Sequence, residues 1–157
     1  MELSATEREV VVDFDVQVKL AVYRRFADTG QRPVPEDIAG PIGSDAKAVL
    51  DAYKRLGRQR LLVLEDDGMS IRMASPFSGV PTQHLVQSGG VRYFANCAWD
   101  ALGIVAALQR RGFVHSRCER SGEPLNLEVG VSGPEPSSWL FHCLVPTAQW
   151  WDDIVFT

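Results

Sequence analysis

A thiol and a carboxylate three residues apart, Cys97 and Asp100, sit in the stretch Phe94-Ala95-Asn96-Cys97-Ala98-Trp99-Asp100-Ala101-Leu102-Gly103-Ile104. The stretch reads as a helix start, and residues at i and i+3 share a helical face, so both side chains can address one bound group. Asn96 is the N-cap candidate, which puts Cys97 in the first turn among unpaired backbone N–H groups. That setting favours negative charge and predicts a lowered thiol pKa. A soft thiolate beside a proton carrier suits capture of a soft heavy metal followed by proton delivery. The plainer explanation is that a cysteine near a helix start is a small buried hydrophobe and that an acid there complements the helix dipole.

Other reactive side chains are scattered. Cys118 precedes the turn Ser121-Gly122-Glu123-Pro124 and reads as a buried structural thiol, with a ligand role as the lesser alternative. His142 and Cys143 are neighbours on an expected strand, where alternate residues point to opposite faces and make a poor chelating pair. Tyr93, Phe94 and Trp99 flank Cys97 and read as core, with an apolar pocket for an organic group as the alternative. There is no Cys-x-x-Cys, no His-x-x-x-His and no glycine-rich phosphate fingerprint.

The segment Phe94–Ile104, followed by Ser116-Arg117-Cys118-Glu119-Arg120-Ser121-Gly122-Glu123-Pro124-Leu125, resembles the organomercurial (alkylmercury) lyases of bacterial mercury resistance. Val145-Pro146-Thr147-Ala148 and Trp150-Trp151-Asp152-Asp153-Ile154 are similar to a divergent branch of that family. The resemblance implies that Cys97 is a catalytic thiolate that binds the mercury of an organomercurial, and that Asp100 handles the proton and serves as a secondary metal ligand. It implies a structural role for Cys118. The implied reaction is protonolysis of a carbon–mercury bond to a hydrocarbon and mercury(II). No organic cofactor is implied; cellular thiols are co-reactants, and a mercuric reductase is an implied acceptor of mercury(II). The family's second catalytic cysteine has no match, because the branch carries it just beyond the position of Thr157, and Cys143 does not align with it. Three readings of that departure are open: a truncated chain, a selenocysteine codon following Thr157, or a retired lyase that only binds thiophilic metal.

Composition bounds the alternatives. The 157 residues are enough for one domain with a real core, and 45% hydrophobic and 23% charged residues are ordinary for a globular chain. A net charge of −4 argues against a phosphate-binding role. No stretch is apolar enough to span a bilayer, and Met1-Glu2-Leu3-Ser4-Ala5 reads without the basic and apolar regions of a signal peptide. Three cysteines do not read as a disulfide framework and fit a reducing cytoplasm.

The elements that must position the site follow from periodicity and turn residues. A helix is expected from about Asp15 to Thr29, with a stripe of Val16, Leu20, Tyr23 and Ala27 widened by Val18, Val22 and Phe26, ending at Gly30. A short helix over Glu36–Ala39 and one capped by Ser44 and ending near Gly57 complete a trio. Arg60–Leu64 and Ser70–Met73 read as a hairpin about Glu65-Asp66-Asp67-Gly68. Three helices and a hairpin form a winged-helix pattern. This opens a rival reading as a metal-sensing regulator, with Lys47, Lys54, Arg55, Arg58 and Arg60 as a modest basic surface, diluted by Asp45 and Asp51. Short strands are expected at Thr82–Val86 and Val91–Ala95, a helix from Cys97 to about Arg110, and strands at Phe113–Arg117, Leu125–Val131 and Trp139–Leu144. Pro146 should start a short helix, and Ile154–Thr157 reads as the beginning of a strand. The expected fold is therefore α+β: a winged-helix-like helical subdomain over 1–76 and a mixed, mainly antiparallel core of alkylmercury lyase type over 77–157.

Overall fold

Apolar residues four apart decide the first helix. In the computed structural model, which describes residues 13–156, α1 spans Phe14–Thr29 and buries Val18, Val22 and Phe26 completely. Val16 and Leu20 remain 39% and 44% exposed, so the buried stripe is rotated from the one expected. The widening residues carry the core because its packing partners lie on that one side. Asp13 caps the helix through a bond from the Asp15 N–H, and Gly30 closes it in the left-handed conformation at φ 69°.

The next helices are α2 (Pro35–Ala39) and α3 (Ala46–Arg58). Asp45, rather than Ser44, caps α3, its carboxylate accepting from the Ala48 N–H at 2.8 Å. Asp15 on α1 and Arg55 on α3 form a two-pronged ion pair, and Lys47 pairs with Asp51 at 2.8 Å. Two of the five cations of the supposed basic surface are thus already neutralised.

The first hairpin strand is shorter than expected: β1 covers only Val63–Leu64. Arg60 sits at φ 60°, and the N–H groups of Leu61 and Leu62 turn back to the Leu56 carbonyl, so residues 60–62 close α3 instead of extending a strand. β1 pairs antiparallel with β2 (Ile71–Ala74), which pairs with β3 (Phe77–Ser78).

The larger sheet is antiparallel, in the order β5-β4-β6-β7-β8: β4 (Leu85–Ser88), β5 (Val91–Phe94), β6 (Gly112–Arg117), β7 (Pro124–Gly130) and β8 (Gly133–Pro134). The helix α4 (Ala98–Leu108) connects β5 to β6. Phe77 joins the two sheets through a backbone bridge to Ala95. Its ring stacks on Phe26 at 5.4 Å and lies 5.8 Å from Tyr93, whose hydroxyl donates to the Ala27 carbonyl at 2.7 Å. Tyr93 is therefore core. One continuous apolar core runs from α1 through Phe77 to α4, so the fold is α+β as the sequence predicts.

Two expected strands are absent. Trp139–Leu144 is irregular, with Leu140 91% and Leu144 79% exposed, since the outer edge of β7 is already paired by β8. Residues 154–156 form a turn in which the Phe156 N–H bonds Asp153, after a 3-10 helix over Thr147–Asp152 that Pro146 starts as expected. Met1–Ala5 and Thr157 lie outside the described residues. Among the described residues no helix is long and apolar enough to cross a membrane.

Candidate active site

Cys97 is itself the N-cap of α4, one position earlier than Asn96 would have made it. Its backbone is extended and its Sγ accepts the Asp100 N–H at 3.4 Å, with the Trp99 N–H also directed at it. The thiol thus occupies the place of a capping hydroxyl and faces the orphan donors of the first turn. The expected drop in its pKa does not follow. Burial pushes the thiol up, the Asp100 and Trp99 amides pull it down, and the neighbouring charges of Asp100 and Cys143 push it up again. Desolvation is the largest of these, because the sulfur is half-buried against α4 rather than held at an open helix end.

Asp100 follows one turn later. Burial raises its carboxyl above the ordinary carboxylate range, and a hydrogen bond from Asn96 partly offsets that. The Asn96 Nδ2 donates to Asp100 Oδ2 at 2.8 Å and makes longer contacts, 3.4 Å each, with the Pro76 and Phe77 carbonyls. The Asn96 Oδ1 is buried without a partner. Tyr23, reaching over from α1, donates to the Ser75 carbonyl at 3.0 Å. Burial raises its phenol, and the nearby Asp100 carboxylate raises it further. Asn96 and Tyr23 are members of the site that sequence reading missed in these roles. Asn96 was visible as a cap candidate; Tyr23 was hidden because it comes from another element more than seventy residues away.

Cys118 does not join this group. It sits half-buried, not buried as expected, at the β6–β7 turn, where its N–H and carbonyl hold the Glu123 carbonyl and the Gly122 N–H. Hydrogen bonds with Ser121 and from the Arg120 backbone lower its thiol. Among the described residues no three His, Cys, Asp or Glu side chains converge as a resident metal site. Phe94 is half-buried, while Trp99 is 56% exposed and meets the Phe141 ring at 5.7 Å. A shallow apolar cavity elsewhere, between the end of α3 and Trp151, touches none of these residues.

With thiol and carboxyl assembled, the comparison with known proteins becomes decisive. A family model described as alkylmercury lyase (MerB) matches residues 77–157, just over half of the chain. The chain belongs to the alkylmercury lyase family. The matched region begins at Phe77, the residue that joins the two sheets, and includes all of β4 to β8 and the Cys97–Asp100 helix start. A solved structure described as the mercury-bound form of MerB2 is similar to the chain with a TM-score of 0.65 and 27% identity. The alignment covers 81% of this chain and 61% of that one, so the chain spans about three-fifths of that protein's length. No curated protein matches.

Proposed function

We propose that the protein cleaves carbon–mercury bonds by protonolysis, as mercury detoxification requires. The observation that carries this reading is the placement of Cys97 Sγ and Asp100 on one helix start, the N–H of the acid donating to the sulfur at 3.4 Å. The substrate is an organomercurial, which arrives as its adduct with a cellular thiol. Exchange places the mercury on the Cys97 sulfur and releases the carrier thiol. The two amides that face the sulfur stabilise the thiolate during that exchange.

The proton then comes from Asp100. A carboxyl raised by burial retains its proton to higher pH than an exposed one, the property a general acid needs. As the proton reaches carbon, the C–Hg bond breaks with its electron pair going to carbon. The products are R–H, mercury(II) on Cys97 and the Asp100 carboxylate, which balances part of the new charge. A further thiol gives its sulfur to mercury and its proton to Asp100, and mercury(II) leaves to that thiol or to a mercuric reductase. No organic cofactor enters this scheme. The described part of the helical half, 13–76, serves as a cover: Tyr23 holds the Ser75 carbonyl, and Pro76 lies against Gly103 of α4. Its exclusion of water favours the protonated form of the carboxyl.

The test is benzene release from phenylmercury in excess thiol, with Cys97→Ala and Asp100→Asn in parallel. Turnover lost with Cys97→Ala and reduced by roughly 10²- to 10⁴-fold in Asp100→Asn is the expected result. Mercury binding without benzene from the unaltered chain would overturn the catalytic reading in favour of a thiophilic-metal carrier.

A further inference from the structure

The Asp100 carboxyl is oriented from outside its own helix. Asn96 Nδ2 donates to Asp100 Oδ2 at 2.8 Å, and its other hydrogen is shared between the Pro76 and Phe77 carbonyls at 3.4 Å each. The Asn96 Oδ1 is buried and finds no donor among the described residues. Nothing steadies the amide on its acceptor side, so its direction depends on where those two carbonyls stand. A buried oxygen left unpaired is a standing cost, and it calls for a compensating use of the opposite end of the amide.

Residues 75–77 are themselves held from two sides. From α1, Tyr23 donates its hydroxyl to the Ser75 carbonyl at 3.0 Å and sets its ring edge-on to Phe77 at 6.3 Å. From α4, Gly103 lets Pro76 approach so closely that an added Cβ would lie 3.2 Å from the Pro76 Cβ. Gly103 is three residues after Asp100, so this contact falls on the helical face that carries the acid. A continuous line of contacts thus runs from Tyr23 through the 75–77 backbone and Asn96 to Asp100.

We propose that Tyr23 is a positioning residue for the reaction, holding the 75–77 backbone so that Asn96 aims the Asp100 carboxyl at the reacting carbon. This rests on the reading of Asp100 as the acid, and it gives the helical half a part in the chemical step beyond covering the site. The Tyr23 hydroxyl acts only as a hydrogen-bond donor. Phenylalanine keeps the ring against Phe77 and lacks the oxygen, so Tyr23→Phe isolates that one bond. Cys97 takes its contacts from the amides of Trp99 and Asp100 in α4 itself, so capture of mercury does not pass through this line.

The chain has two asparagines, Asn96 and Asn126, so isotope-labelled asparagine gives two side-chain amide pairs in an NMR correlation spectrum. Asn126 bonds His115 across β6 and β7, and its pair at the native position shows that a variant has folded. Tyr23→Phe and Gly103→Ala disturb residues 75–77 from opposite sides. Both are expected to move the Asn96 pair, leave the Asn126 pair, and lower kcat for phenylmercury roughly three- to tenfold with KM unchanged. In an Asn96→Ala background, Tyr23→Phe should bring no further loss, because its route to the acid is already cut. An Asn96 pair that stays in place in both variants would overturn the coupling whatever the activity. Turnover with an unchanged kcat, or losses that simply add, would overturn the positioning role and leave the lyase reading standing. No benzene from the unaltered chain would overturn the lyase reading and the role of Tyr23 with it.

Discussion

The Asn96 side-chain amide and the Asp100 carboxylate are joined at 2.8 Å across the first turn of α4, and the same amide group reaches the carbonyls of Pro76 and Phe77. One side chain therefore ties the acid to the strand that bridges the two sheets. The bond favours the charged form of the carboxyl, against the burial that favours the neutral one. How long Asp100 keeps its proton is set by that competition.

Replacing Asn96 by Ala removes the opposing bond, so the Asp100 carboxyl should rise further. The alkaline limb of the pH–rate profile should move upward while kcat falls about tenfold from lost orientation. An alkaline limb that stays in place would sink the assignment of Asn96 as the group that tunes the acid.

Asp100→Asn should raise stability at neutral pH while it lowers activity. In the folded chain the carboxyl binds its proton more tightly than in the unfolded chain, so stability falls as pH rises from the ordinary value of 3.8 through the raised folded value. The unaltered chain carries that penalty at neutral pH, and the amide carries none. Thermal melts should show the variant above the parent at neutral pH and the gap closing in acid; equal Tm values at pH 7 would contradict the burial argument.

Gly30→Ala should be strongly destabilising, by at least about 2 kcal/mol. The residue holds φ 69°, and an added Cβ would meet the Arg92 carbonyl of β5. Backbone cannot yield as a flexible side-chain tip can, so α1 and its Tyr23 would be pushed off the sheet. Urea unfolding measures this directly, and a shift under 1 kcal/mol would show that the junction gives way without loss.

His84 predicts acid sensitivity. Its ring is buried, with Nδ1 at 2.7 Å from the Ser116 hydroxyl, and burial lowers its pKa while Glu119 opposes this more weakly. The unfolded chain therefore binds more protons, and stability should decline as pH falls through the ordinary value of 6.5 toward the lowered folded value. His84→Gln should flatten the stability profile between about pH 7 and pH 5. An unchanged slope in that interval would place the acid sensitivity elsewhere.

Much of this was legible in the linear chain because it is encoded locally. Cys97 and Asp100 are one helical turn apart, so their shared face follows from the residue spacing alone. Gly30 and the Gly68 turn mark boundaries through conformational preferences that act within a few residues. The family motifs likewise lie in contiguous runs.

What only the tertiary structure decided depends on who becomes whose neighbour. The stripe of α1 rotates to Val18, Val22 and Phe26 because its partners lie on that side. Trp139–Leu144 has strand-forming residues, but the outer edge of β7 is already paired by β8, and the segment instead lies against the start of α4, where Phe141 meets Trp99. The thiol pKa moves opposite to the helix-start expectation because desolvation, which depends on everything packed around the sulfur, exceeds the pull of two amides. Spacing along the chain sets which groups can share a face. Burial and long-range contact set how those groups ionise and which distant residues lie beside them.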